Sequence, residues 1–187
     1  MKHEQLKFLI LTALFTAIIG MLAQLTIPLP LVPITGQTLA IGLAATILGA
    51  KYGTLSTILY IIIGSIGIPI FANMQGGLGA VVGPTGGYLI GFIPTAFFIG
   101  WYIEKTKLNF THAMIANTAG MIITLLFGTI WLKVAASLSW PAALTSGVIP
   151  FLIPGFIKAA AAAYIGVLIK KRLYAANLLP KSSVELS

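Results

Sequence analysis

The sequence predicts an all-α membrane protein, six transmembrane helices in one domain, with a Gly-rich capping loop between the third and fourth. Three observations carry this. Of its 187 residues, 58% are hydrophobic and 7% charged, with mean hydropathy +1.04; a soluble domain carries roughly 25% charged residues. Its apolar runs are separated by connections that are alternately basic and uncharged. One of these, residues 68–92 (IPIFANMQGGLGAVVGPTGGYLIGF), holds seven glycines, two prolines and no charge. It is too broken for an ordinary membrane helix and too apolar for a water-exposed loop. Irregular backbone at membrane depth survives only where protein covers it or where it lines a cavity. A folded cap or re-entrant segment over a small-molecule site is therefore expected.

The first helix is expected over 6–27. Lys2 and Lys7 before an apolar run also suit a signal peptide, but the run from Phe8 to Ile27 has 20 residues and no clear small-x-small site closes it. Pro28, Pro30 and Pro33 cannot continue a helix interior, so 28–35 reads as a rigid, uncharged linker. The second helix, 36–50, has only 15 residues. At about 1.5 Å per residue it falls short of a hydrocarbon core of about 30 Å. Lys51-Tyr52-Gly53 reads as a tight basic turn into a short third helix, 54–66. The fourth helix is expected over 87–103, followed by the charged turn Glu104-Lys105-Thr106-Lys107. The fifth, 111–138, is long and apolar with Lys133 near its end. Trp140-Pro141 opens a loop that runs through Pro150. The sixth, 150–174, is Ala-rich, contains Lys158, and closes on Lys170-Lys171-Arg172. Residues 1–174 form the domain and 175–187 a cytoplasmic tail.

The net charge of +8 is scattered over helix ends. Nucleic-acid binding needs a basic face or stripe, so these residues read as topology signals and contacts to anionic lipid head groups. Basic residues mark the N-terminus, the 2–3 and 4–5 turns and the C-terminus; the 1–2 linker and the 3–4 stretch carry none. The positive-inside rule then puts both termini in the cytoplasm, and the linker, the Gly-rich stretch and the 5–6 loop on the outer face. No Cys is present, which excludes disulfides and Cys-based nucleophiles or metal sites. His3 and His112 fall in expected terminal or loop positions and are assigned no metal. A P-loop needs a Lys after its last Gly; after Gly86-Gly87 stands Tyr88. With no nucleotide site, no cofactor motif and no acid–base pair in the membrane, the chain is expected to bind a ligand, not to be an enzyme. An associated subunit then supplies energy.

Lys158 is the foremost candidate for binding. A mid-membrane Lys costs about 2.5–3.5 kcal/mol on insertion scales and marks a functional site by default. The only acids, Glu4, Glu104 and Glu185, lie in termini or the inner turn. An unpaired cation facing a cavity implies an anionic ligand group, most simply a carboxylate. Two blander readings stay beside it: the ammonium snorkels to the interface, or it gives up its proton. Lys133 lies closer to the outer water, and snorkelling is its favoured reading. Asn73 has donor and acceptor for a ligand amide or ureido group, or for its own turn. Gln37 opens the second helix towards the same space, or is simply solvated there. Phe71, Tyr88 and Phe92 suit an apolar wall, or an aromatic belt. Gly86, in Pro84-Thr85-Gly86-Gly87, lets backbone approach a ligand or a neighbouring helix. Ala13-x-x-x-Ala17 makes a small-residue face, for helix packing or for a partner membrane subunit.

Together these segments resemble the biotin-specific substrate-binding (S) components of energy-coupling factor transporters, the BioY family. The resemblance is carried by 33–38 (PITGQT), 48–53 (LGAKYG), 64–72 (GSIGIPIFA), 83–92 (GPTGGYLIGF) and 153–158 (IPGFIK). It runs from the first helix to the end of the sixth. It implies the S-component fold, with biotin held near the outer face between the 1–2 linker, the 3–4 loop and the sixth helix. It also implies a complex with a transmembrane T component and two ATPase subunits, docked through Ala13 and Ala17. Lys158 would meet the valerate carboxylate and Asn73 the polar head, with Tyr88 and Gln37 lining the site. Thr35, Phe71, Gly86 and Phe92 lie within the matching segments and complete the expected set. The family commonly has an Asp three residues before this Lys; here Gly155 stands there. The alternatives are an S component for another carboxylated vitamin, pantothenate or lipoate, and a membrane enzyme acting on lipid.

Overall fold

The computed structural model describes residues 2–176 and 178–179, those at 2–4 without their side chains. Glu4, His3, Glu185 and most of the expected tail therefore lie outside the described side chains. The elements are α1 (Lys2–Ala23), β1 (Thr26–Ile27), β2 (Ile34–Thr35), α2 (Gln37–Ser65), a 3-10 turn (Ala72–Met74), α3 (Leu78–Val82), α4 (Gly86–Lys105), α5 (Phe110–Ala135), α6 (Trp140–Gly147) and α7 (Ile149–Ala175). Helix α2 packs on α1, α4 and α7, while α5 packs on α4 and α7.

Helix α2 differs most from expectation. The turn between the two short helices is not Lys51-Tyr52-Gly53, which is helical, but Gly49. There φ is 81° and ψ −174°, a backbone open to glycine and strained for other residues. The two arms, 37–48 and 50–65, fold back on one another. The Gln37 side chain reaches Tyr60 at 2.6 Å across 23 residues, and a Cβ on Gly53 would fall 2.7 Å from Ala45 Cα. In a straight helix 23 residues span about 35 Å. The arms thus give the two short crossings, and with α1, α4, α5 and α7 the bundle has six. The hairpin is held at its turn: Glu104 Oε1 accepts the Ala50 N–H at 2.9 Å, capping the second arm. Gly100 of α4 leaves room for the backbone of Gly49 and Ala50, which a side chain would strike.

Two connections also differ. The Pro-rich linker is bounded by a small antiparallel pair, Thr26 opposite Thr35 and Ile27 opposite Ile34. The segment expected as a loop from Trp140 is helix α6 at first. Ser139 caps it by accepting the Ala142 N–H, and Pro141 sits in its first turn, where a missing N–H costs nothing. His112 lies in the first turn of α5, with its ring nitrogen 3.3 Å from the Tyr102 hydroxyl.

Buried and exposed side chains follow a membrane protein's logic. The interior holds Ile19, Ile41, Tyr60, Ile99 and Leu132, with many small residues between helices. The outside of α1, α5 and α7 is apolar: Leu6, Ile10, Leu14, Ile122, Leu126, Ile153 and Ile157 are exposed. In water such faces would seek cover; in lipid they are already solvated. Ala13 and Ala17 lie on this exposed face of α1, so they do not pack the bundle itself.

Candidate substrate-binding site

A cavity of about 550 Å³ opens at the end of the bundle opposite the Gly49 turn. Small-molecule sites span about 300–1,000 Å³. Its walls come from the 29–35 linker, the 71–85 segment and helices α2, α4, α5 and α7. Proline and glycine break both connections, and the broken backbone lines this space.

The 66–85 segment is pinned from below. Gln24, at the turn after α1, donates to the carbonyls of Ile70 (3.2 Å) and Phe71 (3.0 Å) and accepts the Met74 N–H at 3.0 Å. One amide thus replaces the partners that a helix would have given this backbone. Asn73 and Met74 both have φ of 56°, an uncommon left-handed conformation away from glycine. The Phe71 ring plugs into α2 where Gly64 has no side chain and meets the Tyr60 ring edge-on at 5.4 Å. Further on, Trp131 Nε1 donates to the Gly83 carbonyl at 2.9 Å and fixes the entry to α4.

Lys158 lies in the wall from α7 and is partly buried. Its Nζ donates to the Thr35 carbonyl at 3.0 Å. An ammonium has three donors, so two remain for a ligand. Gln37 is buried; it donates to the Tyr60 hydroxyl at 2.6 Å and accepts from Thr35 Oγ1 at 2.7 Å. Helix-end solvation is thereby replaced by a fixed amide in the wall. Tyr88 is buried with its hydroxyl on the Gly147 carbonyl at 2.8 Å, and its ring lies 5.9 Å from that of Phe151. Phe71 and Phe92 are 2% and 3% exposed, so they are cavity wall and not a membrane belt. Asn73 is exposed at the rim; its Oδ1 accepts from Thr26 Oγ1 at 2.9 Å.

Of the expected residues, Lys158, Asn73, Tyr88, Gln37, Thr35, Phe71 and Phe92 thus line one cavity. Gly86 does not. It is buried at the start of α4, where a Cβ would strike the Val81 carbonyl and sit 3.2 Å from Trp131 Nε1. Its role is to let α3, α4 and α5 meet. Lys133 lies outside the lining set, its ammonium 5.3 Å from the Trp140 ring centre.

The family model described as BioY matches residues 1–175. The chain belongs to the BioY family. Among curated BioY relatives, the biotin transporter BioY2 of Lactococcus lactis subsp. cremoris is 38% identical over 177 residues, covering 95% of this chain and 97% of the relative. The biotin transporter BioY of Thermotoga maritima is 41% identical over 163 residues, covering 87% and 95%. The fold matches the crystal structure of an S-component for biotin from an ECF-type ABC transporter. Its TM-score is 0.84 at 31% identity, over 91% of this chain and 94% of that one.

Gly155 stands where the resemblance of the sequence implies an Asp. It is buried in the cavity wall, and a Cβ there would come 2.5 Å from Met121 Sδ. The thioether of α5 occupies the room that a side chain at 155 would take. Other wall residues escaped sequence reasoning: Thr38, Gln75, Thr85, Leu89, Met121, Thr124, Leu125 and Phe151. Threonine in a membrane helix usually bonds the preceding turn, so it carries little signal on its own. Gln24 was missed although a lone amide near the end of an apolar run is a signal.

Proposed function

We propose that this chain is the biotin-capturing S component of an ATP-driven vitamin importer, a binding subunit and not an enzyme. The observation that carries this is the pairing of an open-ended cavity, walled by both aromatic and polar side chains, with one ammonium, Lys158, in its lining. Biotin has a carboxylate at one end and a compact polar ring at the other. The carboxylate meets the two free donors of Lys158. The ring system packs among Phe71, Tyr88, Phe92 and Phe151, and the Asn73 amide at the rim serves its ureido group. Gln37 and Thr35 act by fixing the wall and holding Lys158.

The cavity faces the outside and both ends of the chain the cytoplasm. Supporting this, Lys51, Lys105 and Lys107 lie at the end opposite the cavity, as the positive-inside rule requires. Ala13 and Ala17 form a small-residue step on the exposed face of α1. That step suits close packing against a transmembrane T component, with two ATPase subunits driving release. Replacing Ala13 or Ala17 with Trp should leave biotin affinity within about twofold while uptake fails; retained uptake in cells expressing the ATPase module would remove the docking role.

The vitamin is tested by competition. Purified protein holding labelled biotin is challenged with biotin, desthiobiotin, pantothenate and lipoate. Displacement by biotin far below the concentration needed for pantothenate or lipoate is the expected result. Preferential displacement by either of those acids would reassign the substrate.

A further inference from the structure

A second space of about 20 Å³, room for a single water, lies beyond the floor of the main cavity, towards the Gly49 turn. Ile99 lines it, next to Gly100, which packs on Ala50. Thr38, Met121, Thr124, Gly155 and Lys158 line both spaces and so stand between them. Their side chains are fixed to different degrees. Lys158 is tied to the Thr35 carbonyl at 3.0 Å, and Thr124 Oγ1 lies 2.8 Å from Thr95 Oγ1. Thr38 is short and Gly155 has no side chain. Met121 is long, unbranched and only partly buried. A thioether has no donor and is a weak acceptor, so packing sets where this one lies.

That packing has a specific partner. A Cβ on Gly155 would fall 2.5 Å from Met121 Sδ and 3.2 Å from its Cγ. Outside the neighbouring backbone of α7, no other described atom comes within 4 Å of that point. The thioether thus rests in the notch that the missing side chain leaves in α7. Met is flexible and takes the shape of the gap it is given. Filling the notch pushes the thioether aside. A space for one water is too small for a thioether with its methyl group, so the displaced group enters the main cavity. Shortening Met121 does the reverse and joins the two spaces.

We infer that Met121 is a specificity-determining residue of this site: its thioether, seated against Gly155, sets the depth of the cavity and so the length of ligand that fits. This rests on the reading of the cavity as a biotin site, and it holds whichever end of biotin points to the floor. Gly155 is the positioning residue, the notch that keeps the thioether out of the ligand's space.

The test is a length series on purified protein: norbiotin, biotin and homobiotin, whose acid chains differ by one methylene each. A methylene misfit in an apolar pocket changes binding about 10-fold or more, so wild type should prefer biotin to homobiotin by about that factor. Met121→Ala should raise the homobiotin-to-biotin affinity ratio about threefold or more. Gly155→Ala should move the preference the other way, raising the norbiotin-to-biotin ratio by about threefold or more. It should lose this effect when combined with Met121→Ala. A merely structural role would weaken all three ligands together and leave the ratios unmoved. A smaller shift in either single variant, or a Gly155→Ala effect that persists without the thioether, would overturn the inference. Should either variant fail to fold, Met121→Val, which also shortens the side chain, carries the Met121 prediction alone. Failure of the underlying reading looks different: folded wild type would then bind none of the three.

Discussion

The two ends of this bundle break their helices in opposite ways. At the Gly49 end the chain reverses within one residue and the gap is closed. Gly100 admits the backbone of Ala50, and Glu104 caps its N–H. At the other end the long helices are interrupted for some twenty residues, 66–85, by a 3-10 turn and the short α3, and the gap stays open as a cavity. There part of the backbone is satisfied locally, as Phe71 N–H on the Gln75 carbonyl, and part from a distance, by Gln24 and Trp131. A closed break gives stability and an open one gives a site. At both ends a long side chain takes up lost helical bonds; the difference is that at one end Gly100 lets backbone close on backbone, and at the other no such contact fills the gap.

Changes at the open end should therefore strike binding, and changes at the closed end should strike folding. Lys158→Ala has the largest expected effect. Removing a buried charge partner costs about 2–5 kcal/mol, so biotin affinity should fall about 100-fold in titration while the thermal midpoint stays near wild type. A large drop in stability with little change in affinity would reverse the roles of the two ends. Gly100→Val comes next. Its branched side chain meets the Ala50 backbone, and overpacking of this kind costs about 1–3 kcal/mol. Thermal unfolding in detergent should show it, with unchanged affinity in the folded fraction. Gln24→Leu should cost about 1–2 kcal/mol of local order, because the Met74 N–H and two carbonyls lose their partner. Biotin should dissociate about tenfold faster, with the thermal midpoint little moved; an unchanged off-rate would mean that the 66–85 segment holds itself. Glu104→Gln has the smallest effect. The Ala50 N–H keeps an acceptor, so only the charge at the helix end is lost, about 0.3–1 kcal/mol at low ionic strength and less in salt. Binding should not respond.

The two ends were also unequally legible in the sequence. The closed end was half legible. A basic turn near 51 follows from Lys51 and two nearby glycines, but Gly49 and Gly53 compete as the hinge. Only tertiary packing, Gly53 against Ala45 and Gly100 against Ala50, decides which one bends. The open end was legible as a place and not as a mechanism. An uncharged Gly-rich stretch opposite a lone Lys158 locates the cavity, since charge and periodicity are written along the chain. The bonds that shape it join residues about 50 positions apart, as Gln24 to Met74, and no local pattern encodes them. Helix α6 was missed because Trp-Pro reads as a loop opening, although Ser139 before Pro141 is also a helix start.

The open end of the bundle is expected to take biotin. Equilibrium binding of labelled biotin to the purified protein, without any partner subunit, tests this most directly. Saturation at one biotin per chain in the nanomolar to micromolar range is predicted, as a preformed cavity of about 550 Å³ requires no other chain to complete it. Absence of specific binding throughout that range, in protein shown to be folded, would contradict it.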